Sequence, residues 1–231
     1  MEQLPLGVRL RATAVFESFA PGRHAASLAA VRDLAAGVTT APLWLWGAAG
    51  SGKTHLLQAA LAAPAPQRSP TGAAYLPLGR PGLQPAMLQG LENVGLLALD
   101  EVEAAAGQPA LETALFHLWN GVLERGGRLL LAARQPPAGL AIQLPDLASR
   151  FSSCLVMHLP VPDDSELPEV LRHLAAHRGL QVGPEASAWL LRRVRRDTHE
   201  LAALMERLDA AALVAQRALT VPFLREVLGA D

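Results

Sequence analysis

Apolar runs of strand length alternate with segments of helical periodicity along the first part of the chain. Each run is bounded by turn residues or ends on a charged residue, which is typical of short strands buried on both faces. The five runs are residues 42–46, 73–78, 94–100, 128–133 and 153–159. Because strands that alternate with helices form parallel sheets covered on both sides, the pattern predicts an α/β fold with a three-layer parallel sheet.

Helical segments are predicted between these strands and after them. Those between the strands cover residues 24–37, 53–63, 111–125 and 147–151. From Pro160 onward every segment has helical period and no strand candidate remains. We therefore expect three parts: an N-terminal tail at 1–12, an α/β domain at 13–160 and a small all-helical domain at 161–231.

Composition excludes several classes of protein. The chain has 231 residues, is 51% hydrophobic and carries a formal net charge of −1, which argues against disorder and against a strongly basic nucleic-acid module. Its one cysteine, Cys154, excludes an intramolecular disulfide and a cysteine-rich zinc site. The N-terminus does not resemble a signal peptide and no apolar run is long enough for a membrane span, so we expect a cytoplasmic protein.

The single lysine of the chain lies in a glycine-rich loop. Every other positive charge is an arginine, and Lys53 falls within GAAGSGKT at 47–54, a match to G-x-x-x-x-G-K-[ST] between a predicted strand and a predicted helix. Such a loop turns its amides toward phosphates, and we expect glycine conformations at Gly47, Gly50 and Gly52. The lysine reaches the β- and γ-phosphates and the Thr54 hydroxyl binds Mg²⁺.

These features predict a site for ADP or ATP with Mg²⁺. The loop residues expected to bind the nucleotide are Gly47, Gly50, Ser51, Gly52, Lys53 and Thr54. The strand LLALDEV adds two acids beyond its apolar run. Asp100 is expected to hold the Mg²⁺ shell together with Thr54, and Glu101 to polarise an attacking water.

The phosphate loop, the D-E strand end and the all-helical C-terminal part together resemble the AAA+ ATPases. Within them the chain is similar to the DnaA-related branch and to the family of DnaA regulators that includes Hda. The resemblance covers nearly the whole chain and is carried by LGRPG, LDEVEAAAG, ARQPP, LPDLASRF and LDAAALVAQRALTVPFLREVL. DnaA itself would continue into a basic DNA-binding domain, and the acid-rich helical part here is not expected to contain one.

This resemblance implies a regulator of replication initiation. Such a protein docks on the DNA-loaded β sliding clamp of DNA polymerase III and stimulates hydrolysis of the ATP held by DnaA. The initiator then carries ADP, and re-initiation is prevented. Gln3, Leu4 and Leu6 resemble the family's clamp-binding peptide, and Arg150 matches its arginine finger, which acts in trans. DNA is contacted indirectly through the clamp, at the nucleoid, and a homo-oligomer is left open.

Two positions depart from the family pattern. Arg134 follows the fourth strand where the family has a polar or acidic residue that orients water, and His199 stands where a lid arginine would contact the phosphates. Both departures predict weak ATP turnover by the protein itself, with nucleotide binding retained. Phe16 and Phe19 are expected either near the base or simply in the core.

Two other functions fit parts of the pattern. A helicase-loader or transposition-type AAA+ ATPase would act on a helicase or on single-stranded DNA, and direct DNA affinity with a steep salt dependence would favour it. A small-molecule P-loop kinase would need a mobile arginine-bearing lid over the phosphates, whereas the C-terminal helices are expected to form a packed bundle.

Overall fold

A computed structural model describes residues 14–64, 70–193, 198–215 and 219–229. The predicted clamp-binding residues Gln3, Leu4 and Leu6 lie outside these ranges. The chain divides into two compact units. The larger unit ends at Leu159, and the main part of the smaller unit begins at Pro160. The smaller unit also includes two short segments from earlier in the chain, Glu17–Gly22 and Ala49–Gly52.

Five parallel strands form one sheet in the larger unit. The strands are β1 (Leu43–Trp46), β2 (Ala73–Pro77), β3 (Leu96–Asp100), β4 (Arg128–Ala133) and β5 (Leu155–His158). Their order in the sheet is β2-β3-β4-β1-β5, and all four neighbouring pairs are parallel. The five predicted runs and the predicted parallel sheet are confirmed. This order places the end of β1 next to the end of β4, and the end of β4 next to the end of β3.

Helices pack on the sheet within the same unit. They are α1 (Ala25–Ala35), α2 (Lys53–Ala62), α3 (Pro109–Glu124) and α4 (Pro145–Ser152), with short 3-10 turns between them, among them Val102–Ala105. The apolar stripe of α3 faces the core as its spacing predicts, because Leu115, Leu118, Trp119 and Val122 are all buried. β3 and β4 are buried along their whole length, which accounts for their unbroken apolar runs.

A buried arginine closes the C-terminal end of α1. Arg128, at the start of β4, is 7% exposed and donates through Nη1 to the carbonyl oxygens of Leu34 (2.5 Å) and Ala35 (2.7 Å) and through Nε to that of Gly95 (3.1 Å). Carbonyls in the last turn of a helix lack partners within the helix, and a cation there also complements the helix dipole. Burial lowers the pKa of Arg128.

In the described part of the smaller unit, four helices follow. They are α5 (Leu167–His177), α6 (Pro184–Leu191), α7 (Thr198–Ala215) and α8 (Val221–Leu228). Their apolar faces meet in one core whose fully buried members include Leu171, Leu190, Leu201, Met205 and Leu224. The predicted helical part is confirmed by this packed bundle. Among the residues that the structure describes, no helix is both long and apolar enough to cross a membrane.

The histidines His117 and His158 are both exposed. His117 lies on the solvent side of α3, and His158 ends the edge strand β5, where its ring stacks on Trp46 at a centroid distance of 3.9 Å. An edge strand has a neighbour on one side only, so its side chains remain open to solvent.

Candidate nucleotide site and candidate arginine finger

The loop between β1 and α2 has the backbone conformation that its glycines allow. Gly50 and Gly52 have φ angles of +78° and +93°, in a region that residues with a side chain rarely adopt. A Cβ on Gly52 would also lie 2.8 Å from Cε2 of Phe19. The expected glycine conformation at Gly47 is wrong, because its φ is not positive. This residue instead continues the sheet, donating its N–H to the carbonyl of Ala133 at 3.2 Å.

The Lys53 ammonium is folded over its own loop. Its Nζ donates to the carbonyl oxygens of Gly47 and Ala48 at 2.7 and 2.8 Å. Burial lowers the pKa of Lys53, and the carboxylates of Asp100 and Glu103 oppose that effect. The positive charge of Lys53 therefore lies against its own loop, within electrostatic reach of the carboxylates of Asp100 and Glu103.

The structure brings Asp100 and Thr54 together. Asp100 is 4% exposed, and its Oδ2 accepts a hydrogen bond from the Thr54 hydroxyl at 2.6 Å. Its Oδ1 accepts the backbone N–H of Glu101 at 2.9 Å. A hydroxyl and a carboxylate oxygen held together suit Mg²⁺, a hard cation that takes its remaining ligands from phosphates and water. The donor set therefore fits the metal.

Tyr75 is a member of this cluster that the sequence reasoning missed. Its hydroxyl donates to Oδ2 of Asp100 at 2.8 Å from β2, the strand beside β3. Burial and the neighbouring Asp100 carboxylate raise the pKa of Tyr75, so the phenol remains a donor at neutral pH. A lone tyrosine in an apolar strand carries no local signal of this role, because the contact depends on the register between two strands.

Glu101 lies in a strained turn directly after β3. Its φ is +54°, and it is the one residue other than glycine with a positive φ in the described part of the chain. Such a conformation costs about 1–3 kcal/mol and is maintained only where the surrounding structure enforces it. The exposed side chain turns toward Gly79, where an added Cβ would lie 2.5 Å from Oε2 of Glu101.

Arg134 occupies the edge of the same region. Its Nε lies 3.4 Å from Oε1 of Glu103, and its backbone N–H donates to Oε2 of the same residue at 3.2 Å. The positive charge of Arg134 also acts on Lys53, lowering the pKa of that lysine. The residue that departs from the family pattern thus places a second cation beside the phosphate loop.

Arg150 is exposed on a helix whose opposite face is fixed. Its neighbour Phe151 is 1% exposed and packs against Trp44 and Trp119, at centroid distances of 5.1 and 5.8 Å. Leu147, one turn earlier in α4, is fully buried. The spacing of these anchors leaves Arg150 on the solvent side, where a partner can be reached.

The remaining predicted site residues are placed less completely. Ser51 is buried within the loop. His199 lies in the first turn of α7, and its side chain is outside what the structure describes. Phe16 and Phe19 are both buried, and Phe19 packs against Gly52. A contact with the phosphate loop fits either expectation for Phe19, so the choice between base contact and core packing stays open.

The comparisons with known proteins agree with this geometry. Residues 163–228 match the family model described as Hda, lid domain. Domain III of DnaA from Thermotoga maritima superposes with a TM-score of 0.73 at 20% identity, covering 96% of this chain and 98% of that one. AMPPCP-bound DnaA from Aquifex aeolicus gives 0.70 at 20% identity over 86% of this chain and 66% of that one.

A similarity at lower sequence identity extends to RuvB. A RuvB mutant from Thermotoga maritima gives a TM-score of 0.64 at 16% identity, covering 94% of this chain and 72% of that one. Identities at this level establish the fold alone, an α/β domain followed by a helical part. Within that helical part, residues 163–228 are similar to the lid domain of Hda.

Proposed function

We propose that the chain binds ADP or ATP with Mg²⁺ at its phosphate loop. The amides of the loop hold the phosphates together with the Lys53 ammonium, which lies against the carbonyls of Gly47 and Ala48. Thr54 and Asp100 bind Mg²⁺ directly or through water, and Tyr75 orients Asp100. We include His199 among the nucleotide-binding residues because it stands where the family has a lid arginine. The bound metal neutralises phosphate charge.

We propose further that this nucleotide-bound protein regulates replication initiation by acting on DnaA. Arg150 inserts into the nucleotide site of DnaA and stabilises the charge that develops as ATP is hydrolysed, an effect worth about 10³–10⁵ in rate for arginine fingers. The observation that carries this proposal is an exposed arginine on a rigidly packed helix, in a chain whose lid matches that of Hda.

The chain's own ATP turnover is weak in this account. Arg134 stands in place of a polar or acidic residue that would orient water, and it is paired with Glu103. Glu101, the candidate base, has its carboxylate against Gly79. Nucleotide binding then has a structural role in this protein, and hydrolysis takes place at the nucleotide site of DnaA.

Docking on the sliding clamp completes the proposal. Gln3 supplies an amide for hydrogen bonds, and Leu4 and Leu6 supply apolar anchors for a groove on the clamp. Changing both Gln3 and Leu4 to alanine is expected to abolish clamp binding while ADP binding survives. Unchanged clamp affinity in that double variant would remove the clamp from the account.

The whole proposal is tested by following ATP-to-ADP conversion on DnaA, with clamp-loaded DNA, in the presence and absence of this protein. We expect stimulation that requires both the clamp and DNA. Absence of stimulation, together with tight binding to single-stranded DNA that weakens steeply with salt, would favour the helicase-loader alternative instead.

A further inference from the structure

Glu112 is a fully buried carboxylate with partners in two segments, one directly before α3 and one 31 residues further along the chain. It is 0% exposed in the first turn of α3. Its Oε1 accepts the backbone N–H of Gly107 at 2.8 Å. Its Oε2 accepts those of Gln143 and Leu144 at 2.9 and 2.8 Å. Both oxygens are thus used, and each bond is directional.

Burying a carboxylate is costly, and an apolar side chain of similar size often serves stability equally well. The three N–H donors offset that cost here, and bonds from N–H groups to an ionised acceptor are the stronger kind. Unlike an apolar group, the carboxylate fixes the geometry between α3 and the two segments that it bonds. Its placement therefore points to a role in positioning.

The two segments that Glu112 bonds lead to the candidate site residues Arg150 and Glu101. Leu144 is the residue that precedes the first turn of α4, the helix of Arg150. Gly107 ends the short segment that follows Asp100 and contains Glu101. α4 is thus held at its start by Glu112 and near its end by Phe151.

We propose that Glu112 is the positioning residue of Arg150: it fixes α4, and with it the arginine, relative to the acidic end of β3. The inference rests on the proposed function of Arg150 in stimulating DnaA. It adds that the placement of α4, and not only the presence of an arginine, sets the stimulated rate.

The first test uses the chain alone, with ADP, and measures backbone amide exchange. In Glu112→Gln one oxygen is replaced by an NH₂ group that faces an N–H donor, so a bond becomes a repulsive contact. We expect exchange at Gly107, or at Gln143 and Leu144, to accelerate by about tenfold or more. Exchange in the core of α2 should stay unchanged. Unchanged exchange at all three amides would overturn the inference.

The second test measures how Glu112→Gln stimulates hydrolysis of DnaA-bound ATP. Loss of positioning lowers the maximal stimulated rate, by about tenfold or more, while the half-saturating concentration and the ADP affinity stay within about twofold. Val31→Ala, in the buried face of α1, serves as the control, compared at a temperature equally far below its melting point. A merely structural role would lower both variants alike or neither.

A second variant probes the same link from the other side. Leu144 has φ −80° and ψ 108°, which proline adopts, so Leu144→Pro removes one N–H donor to Glu112 without straining the backbone. We expect the same loss of maximal rate. Full stimulation by both variants would overturn the inference. If the wild-type protein fails to stimulate DnaA while the exchange results hold, the proposed function fails and the link between Glu112 and α4 stands.

Discussion

The hydroxyls of Thr54 and Tyr75 donate to the same oxygen of Asp100, at 2.6 and 2.8 Å. The first comes from the helix after the phosphate loop and the second from the neighbouring strand of the sheet. Asp100 is therefore oriented before any ligand arrives. A preset carboxylate lowers the cost of assembling a metal site, because the metal does not have to order it.

Removing the phenol tests this arrangement. Tyr75→Phe keeps the ring and deletes one donor, so we expect a loss of about 1–3 kcal/mol in the free energy of unfolding, which denaturant titration measures. The Mg²⁺-dependent part of the ATP affinity should fall about tenfold, comparable to the tenfold or greater effect typical of residues that orient metal ligands. Equal losses with and without Mg²⁺ would show that Tyr75 acts on the fold alone.

The charge of Lys53 makes nucleotide affinity depend on pH. Phosphate binding needs the ammonium, and burial lowers the pKa of Lys53 below that of an ordinary lysine. As pH rises, affinity for ADP is therefore lost at a lower pH than an ordinary lysine would give. Arg134 contributes to lowering this pKa, so Arg134→Ala should move the loss to higher pH.

Titration calorimetry across alkaline pH checks this prediction. Arg125→Ala is the matched control, because it removes the same charge from an exposed residue. Arg125 lies between α3 and the start of β4, whereas Arg134 follows the end of β4. Identical pH profiles for the wild type and Arg134→Ala would contradict the proposed interaction between the two cations.

Arg128 is a further stability prediction. Arg128→Met keeps much of the apolar volume and removes the donors to Leu34, Ala35 and Gly95. The Leu34 carbonyl keeps the N–H of Gly37, and the Gly95 carbonyl keeps the backbone N–H of residue 128, so the Ala35 carbonyl is the one that loses its donor. A buried carbonyl without a partner costs about 1–3 kcal/mol, and we expect a loss of that size in thermal or denaturant unfolding. Arg125→Ala, which changes an exposed arginine, should stay close to the wild type. A loss of less than about 1 kcal/mol would show that water replaces the guanidinium.

The sequence predicts the parts of the site that depend on local pattern. The spacing around Lys53 and Thr54 predicts the phosphate loop, and an apolar strand ending on Asp100 predicts a candidate metal ligand, because each feature lies within one segment. The five strands follow from the same kind of local pattern, and the structure confirms them.

Long-range contacts account for what the sequence could not predict. Tyr75 reaches Asp100 through strand register, and Glu112 reaches Leu144 across 32 residues of chain. Gly47 fits the motif, yet its φ is ordinary because it hydrogen-bonds as part of the sheet. His158 follows an apolar run but lies on an edge strand, and only the strand order reveals that edge.

Arg150 is proposed to act on ATP held by DnaA, and a single-turnover measurement can isolate that step. DnaA preloaded with labelled ATP is mixed with this protein on clamp-loaded DNA, and the first-order rate of ADP formation is recorded. We predict that Arg150→Ala lowers the stimulated rate by about 10³ or more while its ADP affinity and melting temperature match the wild type. Arg125→Ala should stimulate fully. If Arg150→Ala stimulates hydrolysis as fast as the wild-type protein does, Arg150 is not the finger that acts on DnaA.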